Sequence, residues 1–215
     1  MRKLFLFIVC FILFGVGIKA QRFPQAVLPG DYPDPSILRD GKDYYMTHSP
    51  FYYAPGFLIW HSTDLMRWEP VCRALPEYEG SAMAPDLLKY QGRYYIYYPT
   101  STGENYVIYA DDIRGPWSRP VKLDVRGIDP GHVVGEDGKR YLFTNNGWIT
   151  PLSDDGLKVT GKSRKVYDGW KYPANWVTEG KDMYLESPKL LYKDGYYYMM
   201  SAEGGTAGPA TSHMC

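Results

Sequence analysis

The stretch Asp31-Tyr32-Pro33-Asp34-Pro35-Ser36-Ile37-Leu38-Arg39-Asp40-Gly41-Lys42-Asp43-Tyr44-Tyr45-Met46 decides how the rest of the chain is read. An acid ahead of a proline opens it, a short apolar run follows, then a charged turn with glycine, then an aromatic strand. The plan returns from Ala84-Pro85-Asp86 to Tyr94-Tyr95-Ile96-Tyr97-Tyr98, from Ile128-Asp129-Pro130 to Tyr141-Leu142-Phe143, and from Glu186-Ser187-Pro188 to Tyr196-Tyr197-Tyr198. The turn glycines Gly41, Gly92, Gly138 and Gly195 recur at roughly 50-residue intervals, in the range expected of propeller blades. Each lies between β-rich runs, where glycine supplies the positive φ of a tight hairpin.

A second hairpin follows the first in each complete unit. Phe57-Leu58-Ile59-Trp60-His61-Ser62 leads to Trp68-Glu69-Pro70-Val71, and Tyr106-Val107-Ile108-Tyr109-Ala110 leads to Trp117-Ser118. In the third unit the turn Ser153-Asp154-Asp155-Gly156 precedes an expected strand at Leu157-Lys158-Val159. Four antiparallel strands per unit, with an aromatic mark near the outer one, describe an all-β propeller blade. A β-sandwich of hairpins fits less well, because the copies match in order as well as in type. Three blades are complete, whereas the fourth reaches Cys215 as its third strand should form. A propeller closes when its last blade packs on its first, so the expectation is a C-terminally truncated propeller of about three and a half blades.

Composition narrows the partner. Lys+Arg 24 balances Asp+Glu 24, so no global field attracts nucleic acid or acidic membranes. A polar, uncharged partner such as a carbohydrate fits better. The three cysteines draw no disulfide framework, and His48, His61, His132 and His213 are scattered singly rather than at metal-ligand spacing. Residues 1–20 read as a secretory signal peptide, with Met1-Arg2-Lys3 ahead of an apolar core and Ala20 at the cleavage point. Residues 21–215 are then the partial catalytic propeller of a secreted or periplasmic protein, with no membrane contact after cleavage.

Innermost strands line a propeller's channel, and the residues that start them crowd its mouth. Asp34, Asp86, Asp129 and Glu186 all precede or begin such strands, so they are expected to converge. A following proline is expected to hold Asp34 and Asp129 in extended backbone. Crowded carboxylates push at least one pKa upward while another stays ionised, which is the division that glycoside hydrolysis requires. An inverting enzyme separates its acid and base by roughly 6.5–9.5 Å to admit water. The residues alone do not assign the roles.

The run Asp31-Tyr32-Pro33-Asp34-Pro35-Ser36-Ile37, followed by Ile128-Asp129-Pro130 and Glu186-Ser187-Pro188-Lys189-Leu190, resembles glycoside hydrolase family 43, from about Phe23 onward. The resemblance implies a five-bladed propeller that cleaves by inversion, many members acting on arabinose- or xylose-containing plant polysaccharides. By it, Asp34 is the general base, Asp129 the pKa modulator that orients the acid, and Glu186 the general acid. No cofactor is required for the chemistry, and a structural Ca2+ is implied in the channel of the full-length protein, near a histidine of the fifth blade beyond Cys215. Met83 stands where many members carry a tryptophan, so a sugar platform is missing or supplied elsewhere.

Asp86, at the expected mouth, and Trp148 and Trp176, whose rings can pack on the apolar face of a sugar, are the substrate-binding candidates. Phe51, Tyr52, Tyr53, Trp170 and Tyr172 are further aromatic candidates near the mouth. Retaining fructan-cleaving enzymes share an acid order but differ around Asp34, at Ile128 and at Ser187. A glycan-binding or inactive remnant of the scaffold is the reading from another class.

Overall fold

The computed structural model describes residues 26–78, 80–169, 185–203 and 213–214. The signal-peptide reading, Trp170, Tyr172 and Trp176 lie outside them. Among the described residues there are three four-stranded antiparallel sheets and a three-stranded one. The first holds β1 (Ser36–Asp40), β2 (Asp43–Thr47), β3 (Gly56–Ser62) and β4 (Glu69–Leu75), in that order. The second holds β5 (Asp86–Tyr90), β6 (Arg93–Pro99), β7 (Asn105–Ala110) and β8 (Val121–Leu123). The third runs through β9 (Gly131–Val134), β10 (Arg140–Thr144), β11 (Trp148–Pro151) and β12 (Arg164–Lys165). The fourth is β13 (Leu185–Lys193), β14 (Tyr196–Glu203) and β15 (His213–Met214), so its third strand has begun before the chain ends.

The first strands of successive sheets touch one another, β1 with β5, β5 with β9 and β9 with β13, as they do around a shared axis. This is a partial β-propeller, and the repeat sets its hairpins. In the β5–β6 turn Gln91 and Gly92 have φ of 47° and 86°, and in the β13–β14 turn Asp194 and Gly195 have 54° and 83°. Two consecutive positive φ angles are the two-residue turn that matches strand twist.

Stacking of sheets explains why β6 reads as an unbroken aromatic run rather than an alternating one. Tyr94, Ile96 and Tyr98 face the first blade and pack with Phe57, Ile59, Ala74 and Leu75. Tyr95 and Tyr97, on the other face, pack with Val107, Leu142 and Leu152 toward the third blade. A strand buried on both faces has no polar side to show. In β14 one face packs on the third blade, with Tyr197 Oη donating to Val134 O at 2.9 Å. The other face stays open, leaving Tyr196, Tyr198 and Met200 at 68%, 52% and 52% exposure.

Two sequence expectations change. In the third blade Leu157-Lys158-Val159 forms no regular strand, and only Leu152 and Val159 bridge, while β12 supplies the outer edge. The intervening turn is diverted by side chains: Tyr97 Oη donates to Gly156 O at 2.9 Å and Arg140 Nη1 to Asp154 O at 3.2 Å. Carbonyls taken by side chains of β6 and β10 are lost to a ladder. Trp117 precedes its outer strand and packs against the core between blades one and two instead.

The contrast between the two faces is measurable. Ile96→Ala, at a fully enclosed position, should lower unfolding free energy by about 2–5 kcal/mol. Tyr196→Ser should stay within about 0.5 kcal/mol. Urea unfolding of both variants checks this, and equal losses would contradict the stacking described.

Candidate active site

Backbone as well as sequence repeats where the inner strands begin. The residue before the proline has positive φ in all four sheets: 53° at Asp34, 41° at Ala84, 56° at Asp129 and 50° at Ser187. This corrects the extended geometry expected of pre-proline residues. The chain must turn sharply from its loop into the strand, and tertiary hydrogen bonds hold that turn. Ser49 N donates to Pro33 O at 2.9 Å, and Asn145 N donates to Ile128 O at 2.8 Å. Aspartate tolerates the left-handed region better than most side chains, and strain of this type gathers at functional sites.

Asp34 accepts a short hydrogen bond at Oδ2 from Ser49 Oγ. Ser49 Oγ in turn accepts from Ala84 N at 2.6 Å, so the second blade's main chain orients the first blade's acid. Asp129 Oδ2 accepts from Ser187 N at 3.2 Å. Burial pushes the Asp129 carboxyl above its ordinary 3.8, and the negative charge of Asp34 pushes the same way, while the Ser187 amide and the Lys189 ammonium oppose them. Asp129 therefore senses the charge of Asp34.

Glu186 is half-buried near the start of β13, and its carbonyl accepts from Ser201 Oγ at 3.1 Å. The β13–β14 register slips between Glu186 and Lys189, a bulge of the type that re-aims side chains beside active sites. Because the Ser187 amide bonds Asp129, Glu186 stands one residue from that contact. The fold thus brings together Asp34, Asp129 and the strand start that carries Glu186.

The substrate-binding candidates fare differently. Asp86 is buried, with Oδ2 accepting from His132 N at 2.8 Å and Oδ1 from Lys189 Nζ at 2.9 Å. Its geometry is that of a fastener between blades, not of a group presented to a sugar. Trp148 is half-buried and carries the Arg126 guanidinium 4.0 Å over its ring centroid, which covers one face. Phe51 and Tyr53 line a cleft of about 370 Å3 that also includes Tyr32, His48 and Ser49. It adjoins Asp34 through Ser49, and Tyr53 is 79% exposed. A larger cleft of about 440 Å3 includes Asp43, Lys89 and Arg114, at the far ends of β1 and β5, remote from the acids.

His132 behaves as a neutral packing residue. Its Nε2 accepts from Arg140 Nε at 2.9 Å, and burial with the Arg140 charge brings its pKa down to about 4. Among the described residues no group of three or more His, Cys, Asp or Glu could hold a metal ion. The inner-ring oxygens of Asp86 and Pro130 are engaged by Lys189, so they do not fit a calcium ion as they stand.

Sequence reasoning missed Ser49 and Lys189. Nothing near Ser49 signals its contact, since its partners are 15 and 35 residues away. Lys189 had a usable signal: aligned on the prolines, Ser36, Asp86, Gly131 and Lys189 are equivalent, and two of them carry opposite charge.

The chain matches the profile of glycosyl hydrolases family 43 over residues 23–215. A xylosidase/arabinosidase of Butyrivibrio fibrisolvens is 34% identical over 84% of this chain and 38% of its own length. A xylan 1,3-beta-xylosidase of a Vibrio species is 36% identical over the same shares. The crystal structure of a mutant GH43 protein from Bacillus licheniformis superposes with a TM-score of 0.75 at 33% identity, covering 89% of this chain and 40% of that one. The chain therefore spans about two fifths of the length of the relatives it matches.

The raised Asp129 pKa sets a sign. A carboxyl whose folded pKa lies above its unfolded value contributes stability below about pH 3.8 that is lost as pH rises through the folded value. Asp129→Asn keeps an acceptor for Ser187 N and removes the charge. Its stability relative to the parent chain should improve as pH rises from 3 toward neutrality, read as urea midpoints across pH; parallel profiles would contradict the assignment.

Proposed function

The chain belongs to glycosyl hydrolases family 43, and from that membership we propose that the whole protein is an inverting glycoside hydrolase removing arabinofuranosyl or xylosyl residues from plant-type polysaccharides or oligosaccharides. The observation that supports this most directly is the shared environment of Asp34 and Asp129, with the Ser187 amide beside Glu186 bonded to Asp129. In this reading Asp34 is the general base. Its Ser49 bond leaves the carboxylate aimed while it takes a proton from the attacking water. Glu186 is the general acid and protonates the departing glycosidic oxygen as water's oxygen bonds the anomeric carbon from the opposite face. Asp129 bonds the main chain at the acid's own strand start and tunes the pair.

The sugar would meet aromatic surface from Phe51 and Tyr53, with Trp148 and Trp176 as further platforms. Acid and base come from the chain, so the chemistry calls for no cofactor. A channel calcium belongs to this proposal only through residues past Cys215. Residues 1–20 serve as the export signal in the same reading, giving a secreted or periplasmic enzyme. Among the described residues no helix is long and apolar enough to cross a membrane.

The full-length protein should release aglycone from an aryl α-L-arabinofuranoside or β-D-xyloside, and Glu186→Ala should lower that rate by about 10²–10⁴-fold. Proton NMR of the first-formed sugar should show the anomer opposite to the substrate's. Equal rates for parent and variant, or retained configuration, would overturn the roles given.

A further inference from the structure

Lys189 stands in the fourth blade where Ser36, Asp86 and Gly131 stand in the others, directly after the proline that opens the inner strand. These positions form the fastening between blades. Ser36 Oγ accepts from Leu87 N at 2.9 Å, and Asp86 Oδ2 accepts from His132 N at 2.8 Å. At Gly131 a Cβ would lie 1.9 Å from Pro188 O, so only glycine lets the fourth blade approach the third. Lys189 completes the set from the other direction. Its Nζ donates to Asp86 Oδ1 and Pro130 O, both at 2.9 Å, and reaches Pro85 O at 3.4 Å.

A carboxylate and main-chain carbonyls are the hard oxygen donors that gather around a metal cation. Here an ammonium on a flexible stem takes the cation's place. The negative groups that meet it are Asp86 from the second blade, in direct contact, and Asp129 from the turn before β9, through its charge. Lys189 is the cation that β13 contributes to this group.

We propose that Lys189 is a tethered cation of the inner ring, which fastens blades two, three and four and acts as a positioning residue for the Asp129 turn, whose Pro130 carbonyl it holds. The fastening stands on the hydrogen bonds alone; the consequence for turnover rests on the hydrolase reading above. Lys189 already opposes the upward pressure of burial and of Asp34 on Asp129. Removing its charge leaves only the Ser187 amide to oppose them.

Carboxyl carbon-13 NMR of this chain, with Asp129 assigned through Asp129→Asn, tests the proposal without requiring activity. In Lys189→Met the Asp129 midpoint should move up from the parent's, while Lys189→Arg, which keeps the charge, should hold it near the parent's. Lys189→Gln removes the charge with less loss of polarity and should reproduce the upward shift if the Met variant does not fold. An unchanged midpoint in the folded Met or Gln variant overturns the proposal. In the full-length protein the same charge-removing variants should lose kcat near neutral pH more than they change KM. A shifted midpoint with no turnover by the parent would sink the hydrolase reading and leave the tethered cation intact.

Discussion

Contact between the starts of neighbouring inner strands is the constraint on which the rest depends. Each sheet begins with a residue of positive φ, a proline, and then a residue that meets the next blade: Ser36 through its hydroxyl, Asp86 through its carboxylate, Gly131 through the absence of a side chain. These contacts fix the spacing of the inner strands. The residue before each proline is thereby set at the mouth with little freedom, and where it is aspartate the fold has placed a carboxylate. Acid placement is thus a by-product of how blades are joined.

The same junctions explain the electrostatics. Packing inner strands closely buries Asp129 and brings Asp34 within reach of it, and both effects favour the protonated acid. The opposing groups, the Ser187 amide and the Lys189 ammonium, both come from the bulged start of β13 in the fourth blade. A blade whose own residue before the proline is serine therefore supplies the compensation for the Asp129 carboxyl of the third blade. Outside the ring, the stack depends on apolar burial. Strand β6 is enclosed on both sides, whereas β14 is enclosed on one, and the same aromatic pattern gives opposite exposure in the two strands.

Much of the fold was legible because the repeat carries its own punctuation. Proline, turn glycine and aromatic run mark strand starts, hairpins and buried strands through local physics, so the first two strands of every blade fell where the pattern placed them. The outer edge of the third blade did not. There the turn carbonyls at Asp154 and Gly156 bond Arg140 and Tyr97, and the two-residue strand β12, past the expected Leu157–Val159, closes the sheet. Short edge strands have too little pattern to be read, and one diverting partner, Tyr97, is 59 residues away in another blade.

For the site, register in the repeat marked Asp34, Asp86, Asp129 and Glu186 together, because the strand starts of a rotational repeat lie near its axis whatever their separation along the chain, and the family resemblance chose Asp34, Asp129 and Glu186 among them. What the sequence could not express was which neighbours each acid would find. Asp86, chemically equal to the others, became a fastener because the proline precedes it rather than follows it. Ser49 and Lys189 entered because loops from different blades end at the same place. Sequence by itself determined the repeat, its hairpins and the supply of carboxylates, since those are local properties of a chain. Tertiary structure alone decided partners, burial and charge balance, since those depend on distances in space that no spacing along the chain encodes.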